Sequence, residues 1–430
     1  MPDHSRRGHG RLDRRDTPDS DMTTSRVVVA GAGTAGHNVA TTLRESGFTG
    51  PISLIGDEPY LPYHRPPLSK DFLLGTVTAE ALGLRSPTFY TDHAVATHLG
   101  AAVMQINRDD RCVVLDDDRS IDYDHLILAL GASPRPLDIP GRQLNGVLEL
   151  RTRSDAERLR GHLTEGARVV IVGGGFIGLE VAAAARKSGA EVTVVETNPT
   201  LMTRALSSRA AAHLAALHTT HGVRICCSTS VTALEGSAGR VVAVTTAQGE
   251  HLAADVVVLG IGVVPNVGPA SAAGLRVSNG IVVDEYLATS DPAIFAVGDC
   301  ANFPGPADTR IRLESIQNAV DQARYVTRRM QGHREPYDAV PYFWSDQYGT
   351  KIQIAGYAKT SDETVIRGTS EKFSIFRFYR GSLVAVESID DPLTHLLVRR
   401  IFGVGGSVTP DQAADVSVDL RSVARTVAVR

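Results

Sequence analysis

The segment RVVVAGAGTAG at residues 26–36 decides the fold, and RVVIVGGGFIG at residues 168–178 repeats it. Each begins as an uninterrupted run of β-branched residues, the pattern of a strand buried on both faces of a parallel sheet. Each then turns through Gly-x-Gly-x-x-Gly. The first glycine of such a loop permits a tight turn, the second lets the backbone approach a pyrophosphate, and the third lets the next helix pack on the strand. The residues that follow are helical in pattern, so a helix N-terminus with unbonded N–H groups and partial positive charge faces the phosphate position. The first loop supplies Gly31, Gly33, Ala35 and Gly36; the second supplies Gly173, Gly175, Phe176 and Gly178.

Both units continue into a second strand that ends in an acid. PISLIGD (51–57) closes on Asp57 and EVTVVE (191–196) on Glu196. At that distance a carboxylate can accept hydrogen bonds from ribose hydroxyls. Glu196 would also repel a 2′-phosphate, which favours NADH over NADPH; the counter-reading is a solvated strand-end acid, with nearby Arg204 accommodating the phosphate. Two fingerprints imply two dinucleotides, and the economical pair is FAD with a nicotinamide nucleotide.

At 430 residues the chain exceeds the ~250–300 at which one core stops growing. IDYDHLILALGASPR (121–135), ADVVVLGIGVVPN (254–266) and AIFAVGDCAN (293–302) read as further strands, the last returning to the style of the first unit. Beyond about residue 335 the helical pattern gives way to KIQIAGYA (351–358), FSIFRFY (373–379) and SLVAVESI (382–389). The prediction is an α/β chain with two Rossmann-like dinucleotide-binding domains and a C-terminal α+β domain. The expected division is a first, discontinuous domain of residues 22–148 and 276–334, a second of 149–275 and a third of 335–430. Residues 1–21 carry five Arg and five Asp with almost nothing apolar, and read as a disordered tail. Met22, just ahead of the first strand, is an alternative translation start.

Composition excludes several classes of function. Lys+Arg 44 against Asp+Glu 48 gives a net charge of −4, so no excess positive charge exists to neutralise nucleic-acid phosphates. Cys112, Cys226, Cys227 and Cys300 have neither disulfide-framework nor zinc spacing. No metal site emerges, and Cys300 reads as a small buried filler rather than a reactive thiol. No apolar run reaches the ~18 residues of a membrane span, and the N-terminus lacks a secretory apolar segment. A cytoplasmic protein is expected.

PYHRPPLSKDFL (62–73), GASPR (131–135), GGGFIGLE (173–180), FAVGDCAN (295–302), ESIQNAVDQA (314–323) and PYFWSDQYGTKIQIAG (341–356) occur in this order. Together they resemble the FAD-dependent, NADH-linked ferredoxin reductases of oxygenase systems, which have the glutathione-reductase-like architecture; apoptosis-inducing factor is a more distant relative. The resemblance runs from about Ser25 to the C-terminus. It implies that Gly31, Gly33, Ala35 and Gly36 bind the FAD pyrophosphate, that Asp57 takes the adenosine ribose and that Val103 makes a main-chain contact to the adenine. It further implies FAD contacts from Arg65, Arg151 and Asp299, with Lys70 near flavin N5 and Ile316, at the start of a helix spanning 314–330, at the pyrimidine edge. Trp344 matches an aromatic beside the isoalloxazine, although plain core packing is the alternative for this only tryptophan. Gly173, Gly175, Phe176, Gly178, Glu196 and Gly262 match NAD contacts, and Glu180, placed in the first turn of its helix, is the implied partner of Lys70.

The implied activity is ferredoxin–NAD(+) reduction: a hydride passes from NADH to FAD, and single electrons pass on to a [2Fe–2S] ferredoxin that feeds a cytochrome P450 or a Rieske dioxygenase. Such ferredoxins are generally acidic, so a chain of net charge −4 needs a local basic patch, for which Arg65, Arg310 and Arg312 are the candidates. The competing readings are an NADH oxidase and a redox-gated interaction flavoprotein of the apoptosis-inducing-factor type.

Overall fold

The computed structural model describes residues 24–305, 309–358 and 361–427. The expected tail at 1–21 lies outside the described residues.

Two parallel five-stranded sheets carry the two fingerprints. In the first, Val27–Ala30 is central, flanked by Ile52–Gly56 and then Val95–Leu99 on one side and by His125–Leu128 and then Ile294–Ala296 on the other. In the second, Arg168–Val172 is central, flanked by Glu191–Val195 and Arg224–Cys226, and by Val256–Leu259 and Val147–Glu149. The two central strands are buried along their lengths apart from Arg168 at the second strand's start, which is why their sequences do not alternate. The edge strand Val147–Glu149 joins the second sheet, so the chain crosses between the sheets ahead of residue 149. Ala132–Pro134 and Val263–Pro265 pair antiparallel on that crossing.

Each parallel sheet is accompanied by an antiparallel three-stranded unit that the sequence reading did not resolve: Val103–Asn107, Cys112–Leu115 and Ser120–Asp122 in one, and Val231–Ser237, Arg240–Thr246 and His251–Ala253 in the other. The available signal was short alternating runs broken by tight turns, such as Ala238-Gly239 with both residues at positive φ.

The C-terminal sheet is antiparallel, in the order Tyr342–Gln347, Thr350–Gly356, Ser382–Ile389, Phe373–Tyr379, Glu363–Gly368. Its two faces have different neighbours. Ile352, Phe373, Ile375 and Ile389 join the core of the second parallel sheet, whereas Ala355, Phe376, Phe378 and Val386 pack under the helix Pro392–Gly403. The third unit thus shares a core with the second, while the first sheet keeps a core of its own.

Candidate functional site

The glycine loops have the shape that the sequence demands. Gly31 and Gly173 sit at φ of +119° and +110°, and a Cβ on Gly36 or Gly178 would lie 1.8 or 2.2 Å from the carbonyl oxygen of Gly31 or Gly173. The middle glycines differ: a Cβ on Gly33 or Gly175 would meet no protein atom within 4 Å, so both border open space. The helices Thr34–Glu45 and Phe176–Lys187 also start without any side-chain cap, whereas Ser207, Ser315, Thr152, Asp391 and Thr409 all cap theirs. Unbonded N–H groups facing an open cradle are what a pyrophosphate requires. The residues present therefore fit one dinucleotide at each loop.

Around the first loop, Asp57 is exposed directly after its strand, and Gly56 abuts Ala32 of the loop. The chain returns to this end at Gly100 and Ala101, whose N–H groups donate to Glu58 and Gly56, and this brings Val103 to the start of its strand. Ala35 is buried in the first turn of its helix. Arg151 donates to Asp299 at 2.9 Å, and its carbonyl accepts from Arg65 at 2.6 Å. Arg65 also pairs with Glu58 at 2.5 Å. The helix Ile316–Met330 begins two residues later than expected, with Ser315 as its cap, so Ile316 is its first residue and offers an uncapped N–H.

Lys70 and Glu180 form an ion pair at 2.7 Å, with the lysine side chain 24% and the glutamate 4% exposed. Glu180 is the fifth residue of its helix and so belongs to the second turn rather than the first. Its carboxylate also accepts the hydroxyls of Ser69 and Ser345, each at 2.5 Å. A carboxylate this deeply buried would be costly alone; three donors converging on it offset the desolvation. The sequence reading missed Ser69, in the turn Pro66–Ser69, and Ser345, because nothing in their sequence context marks them as buried.

Around the second loop, Glu196 is nearly buried and accepts from the Gly174 N–H at 2.8 Å and from the Asn198 N–H at 2.8 Å, so its carboxylate sits on the fingerprint. Gly262 has a φ of +98°, with Arg204 alongside it. Phe176 packs against Phe343, their ring centroids 4.2 Å apart and the rings tilted at 41°. Trp344 is 37% exposed and lies 6.0 Å from Tyr342, which removes the core-packing alternative.

Cys300 is placed as the filler reading expects, whereas two of the docking arginines are placed differently. Cys300 is fully buried against the carbonyls of Leu128 and Val297, and burial pushes its thiol up to about 11, so it is inert filler. Arg312, expected on a docking patch, is only 9% exposed; it pairs with Glu314 and donates to the Asp299 carbonyl. It therefore braces the Asp299 turn instead of facing a partner, because a guanidinium flanked by carbonyls is drawn inward. Arg310 is exposed, but its head group is held by Asn302 and the Val283 carbonyl. Among the described residues no cluster of potential metal ligands occurs, and no helix is long and apolar enough to cross a membrane.

The pyridine nucleotide-disulphide oxidoreductase family model matches residues 25–323, and a reductase C-terminal model matches residues 342–424. The chain is 47% identical to rhodocoxin reductase of Rhodococcus erythropolis over 92% of its length and 93% of the relative, and 40% identical to putidaredoxin reductase of Pseudomonas putida over 92% and 96%. The structure superposes on a ferredoxin reductase of the CYP199A2 system from Rhodopseudomonas palustris with a TM-score of 0.91 and 42% identity, covering 93% of this chain and 100% of that one. It superposes equally well, at 0.91 and 40% identity, on putidaredoxin reductase in its covalent complex with putidaredoxin, covering 94% of this chain and 99% of that one. With two uncapped glycine loops, an ion pair between Lys70 and Glu180, and these likenesses over nearly its whole length, the chain belongs to the ferredoxin-reductase branch of the pyridine nucleotide-disulphide oxidoreductases.

Proposed function

We propose that this protein is a ferredoxin–NAD(+) reductase that passes electrons from NADH through bound FAD to a [2Fe–2S] ferredoxin serving a P450 or Rieske oxygenase. The observation that carries the reading is the Lys70–Glu180 pair, which fastens the turn Pro66–Ser69 of the first unit to the helix of the second loop. The first loop with Asp57, Val103, Arg65, Asp299 and Ile316, all within residues 22–148 and 276–334, holds FAD, and Arg151 joins them from the start of the second unit. The second loop with Glu196, Gly262 and Phe176 holds NADH, within residues 149–275. FAD, when bound, supplies the conversion of a hydride into single electrons. The protein's part is placement and charge. Lys70 puts a cation on the N5 side, and the helix beginning at Ile316 turns its positive end toward the ring edge where negative charge accumulates. Trp344, exposed on its strand, would border the isoalloxazine. No general base is required. The four reduced thiols suit the cytosol.

Stopped-flow mixing of the NADH-reduced protein with a [2Fe–2S] ferredoxin tests this reading. Ferredoxin is expected to be reduced far faster than dioxygen, and a preference for dioxygen, or a long-lived charge-transfer complex, would overturn it. The inert Cys300 already weighs against an oxidase that needs a peroxide-reducing thiol. Arg310, the exposed one of the three arginines, borders the ferredoxin approach, whereas Arg65, like Arg312, is tied to a carboxylate and a carbonyl, so reduction of ferredoxin should fall steeply with salt while reduction of a small neutral quinone barely changes. Salt is a cleaner probe here than Arg310→Glu, which would set a carboxylate against two carbonyl oxygens.

Coenzyme choice rests on Glu196. Glu196→Arg removes a repelling charge from the ribose end and supplies a phosphate partner, so the NADH/NADPH ratio of kcat/KM should fall by about 10–100-fold, the worth of a charge-assisted hydrogen bond. Equal use of both coenzymes by the unmutated protein would show that Glu196 does not face the ribose.

A further inference from the structure

The strand Tyr342–Gln347 lies between the other two units, and its alternation divides its contacts. Tyr342 reaches the helix Ile316–Met330 through Gln317. Phe343, Ser345 and Gln347, on the opposite face, meet Phe176, Glu180 and His218 of the second unit. The two polar contacts on this face join into one chain. His218 meets the Gln347 Oε1 through Nε2 at 2.7 Å, Gln347 Nε2 donates to Ser345 Oγ at 3.2 Å, and Ser345 Oγ donates to Glu180 Oε1 at 2.5 Å. Lys70 meets that same Oε1. The directions are set by chemistry: the amide oxygen of Gln347 can only accept, so His218 carries its proton on Nε2. Its Nδ1 is buried with no partner in the structure. Burial lowers the His218 pKa, which keeps the ring in this neutral form. Ser345, Gln347 and His218 are all essentially inaccessible to solvent.

Every donor in this chain thus points toward Glu180. Aligned hydrogen bonds polarise one another, and in a dry site the last of them acts on the carboxylate more strongly than a lone serine would. The consequence is directional. Glu180 Oε1 divides its negative charge between Ser345 and Lys70, so the strength of the serine bond governs how far the ammonium is drawn toward the glutamate and away from the cofactor side. We propose that Ser345, backed by Gln347 and His218, is a positioning residue that sets the Lys70 ammonium through Glu180, so that the third unit tunes the charge beside the flavin. This rests on the placement of Lys70 at flavin N5 stated above.

The test uses full-length, FAD-loaded protein. Ser345→Ala removes one donor, so Glu180 takes more of the ammonium and the negative charge of reduced flavin loses support. The flavin midpoint potential should become more negative, and the rate of reduction by NADH should fall by about 10-fold, the worth of one hydrogen bond to a charged group. KM for NADH should change little, and Ser345→Thr, which restores the hydroxyl, should recover the potential. In a Lys70→Met background, Ser345→Ala should move the potential no further. Additive shifts from the two substitutions, or a fall in melting temperature with the potential unmoved, would overturn the inference while leaving the placement of Lys70 intact. An unchanged potential in Lys70→Met alone would overturn that placement, and the inference with it.

Discussion

Protein carrying Gly178→Ala is expected to purify yellow, with its full complement of FAD, and yet resist reduction by NADH. The reason lies in 2.2 Å. A methyl group at residue 178 would sit that far from the Gly173 carbonyl oxygen and 3.3 Å from the Ile171 side chain, so the helix Phe176–Lys187 must lift off its strand. That helix presents its uncapped N–H groups at the loop proposed for the nicotinamide dinucleotide, and it also carries Glu180. A displacement of about 1 Å is enough to lower kcat/KM for NADH by roughly 100-fold. The first loop, proposed to hold the flavin, lies in a different sheet with a separate core, so FAD should stay bound and dithionite should still reduce it. Gly36→Ala gives the opposite result. Its Cβ would lie 1.8 Å from the Gly31 carbonyl oxygen, and the protein should emerge colourless. NADH reduction within a few-fold of normal in Gly178→Ala would show that the second loop does not hold the coenzyme.

The two loops were legible because everything they need is local: a buried strand, three glycines and a helix start lie within 11 residues of each other in RVVVAGAGTAG. Lys70 and Glu180 were not legible in that way. They are 110 positions apart, and only a resemblance could pair them before the ion pair was seen. Arg312 failed for the complementary reason. Sequence reveals a charge but not the carbonyls around it, and the turn that contains Asp299 folds that guanidinium inward. The chain from His218 to Ser345 joins residues of two domains, so no spacing could have announced it.

One signal in the C-terminal sheet could have been read and was not. FSIFRFY and SLVAVESI are apolar strands that each hold a single charge, Arg377 and Glu387, of opposite sign. A charge inside an apolar strand must find a partner. The two strands are adjacent and antiparallel, and the two charges meet at 3.0 Å.

Glu387→Ala should produce the largest loss of stability of any substitution outside the glycine loops. Glu387 is 0% exposed, and besides Arg377 it accepts the Ser207 N–H through both carboxylate oxygens, at 2.9 and 3.0 Å, and the Ser207 hydroxyl at 2.6 Å. Ser207 is the cap of the helix Ser208–Thr220, so the carboxylate lies at the positive end of that helix and locks the third unit to the second. Truncation leaves a buried guanidinium and a backbone N–H without their acceptor, a loss of about 3–5 kcal/mol. For a unit of this size that corresponds to a fall in melting temperature on the order of 10 °C. Pairing Glu387→Leu with Arg377→Met removes both charges and should recover much of the loss, because an apolar replacement of a buried ion pair costs little. The first sheet's core takes no part in this contact, so flavin fluorescence should report release of FAD at a temperature closer to normal than the far-ultraviolet transition. A melting temperature for Glu387→Ala within about 2 °C of the parent would mean that the shared core alone holds the two units together and that the buried carboxylate adds nothing to it.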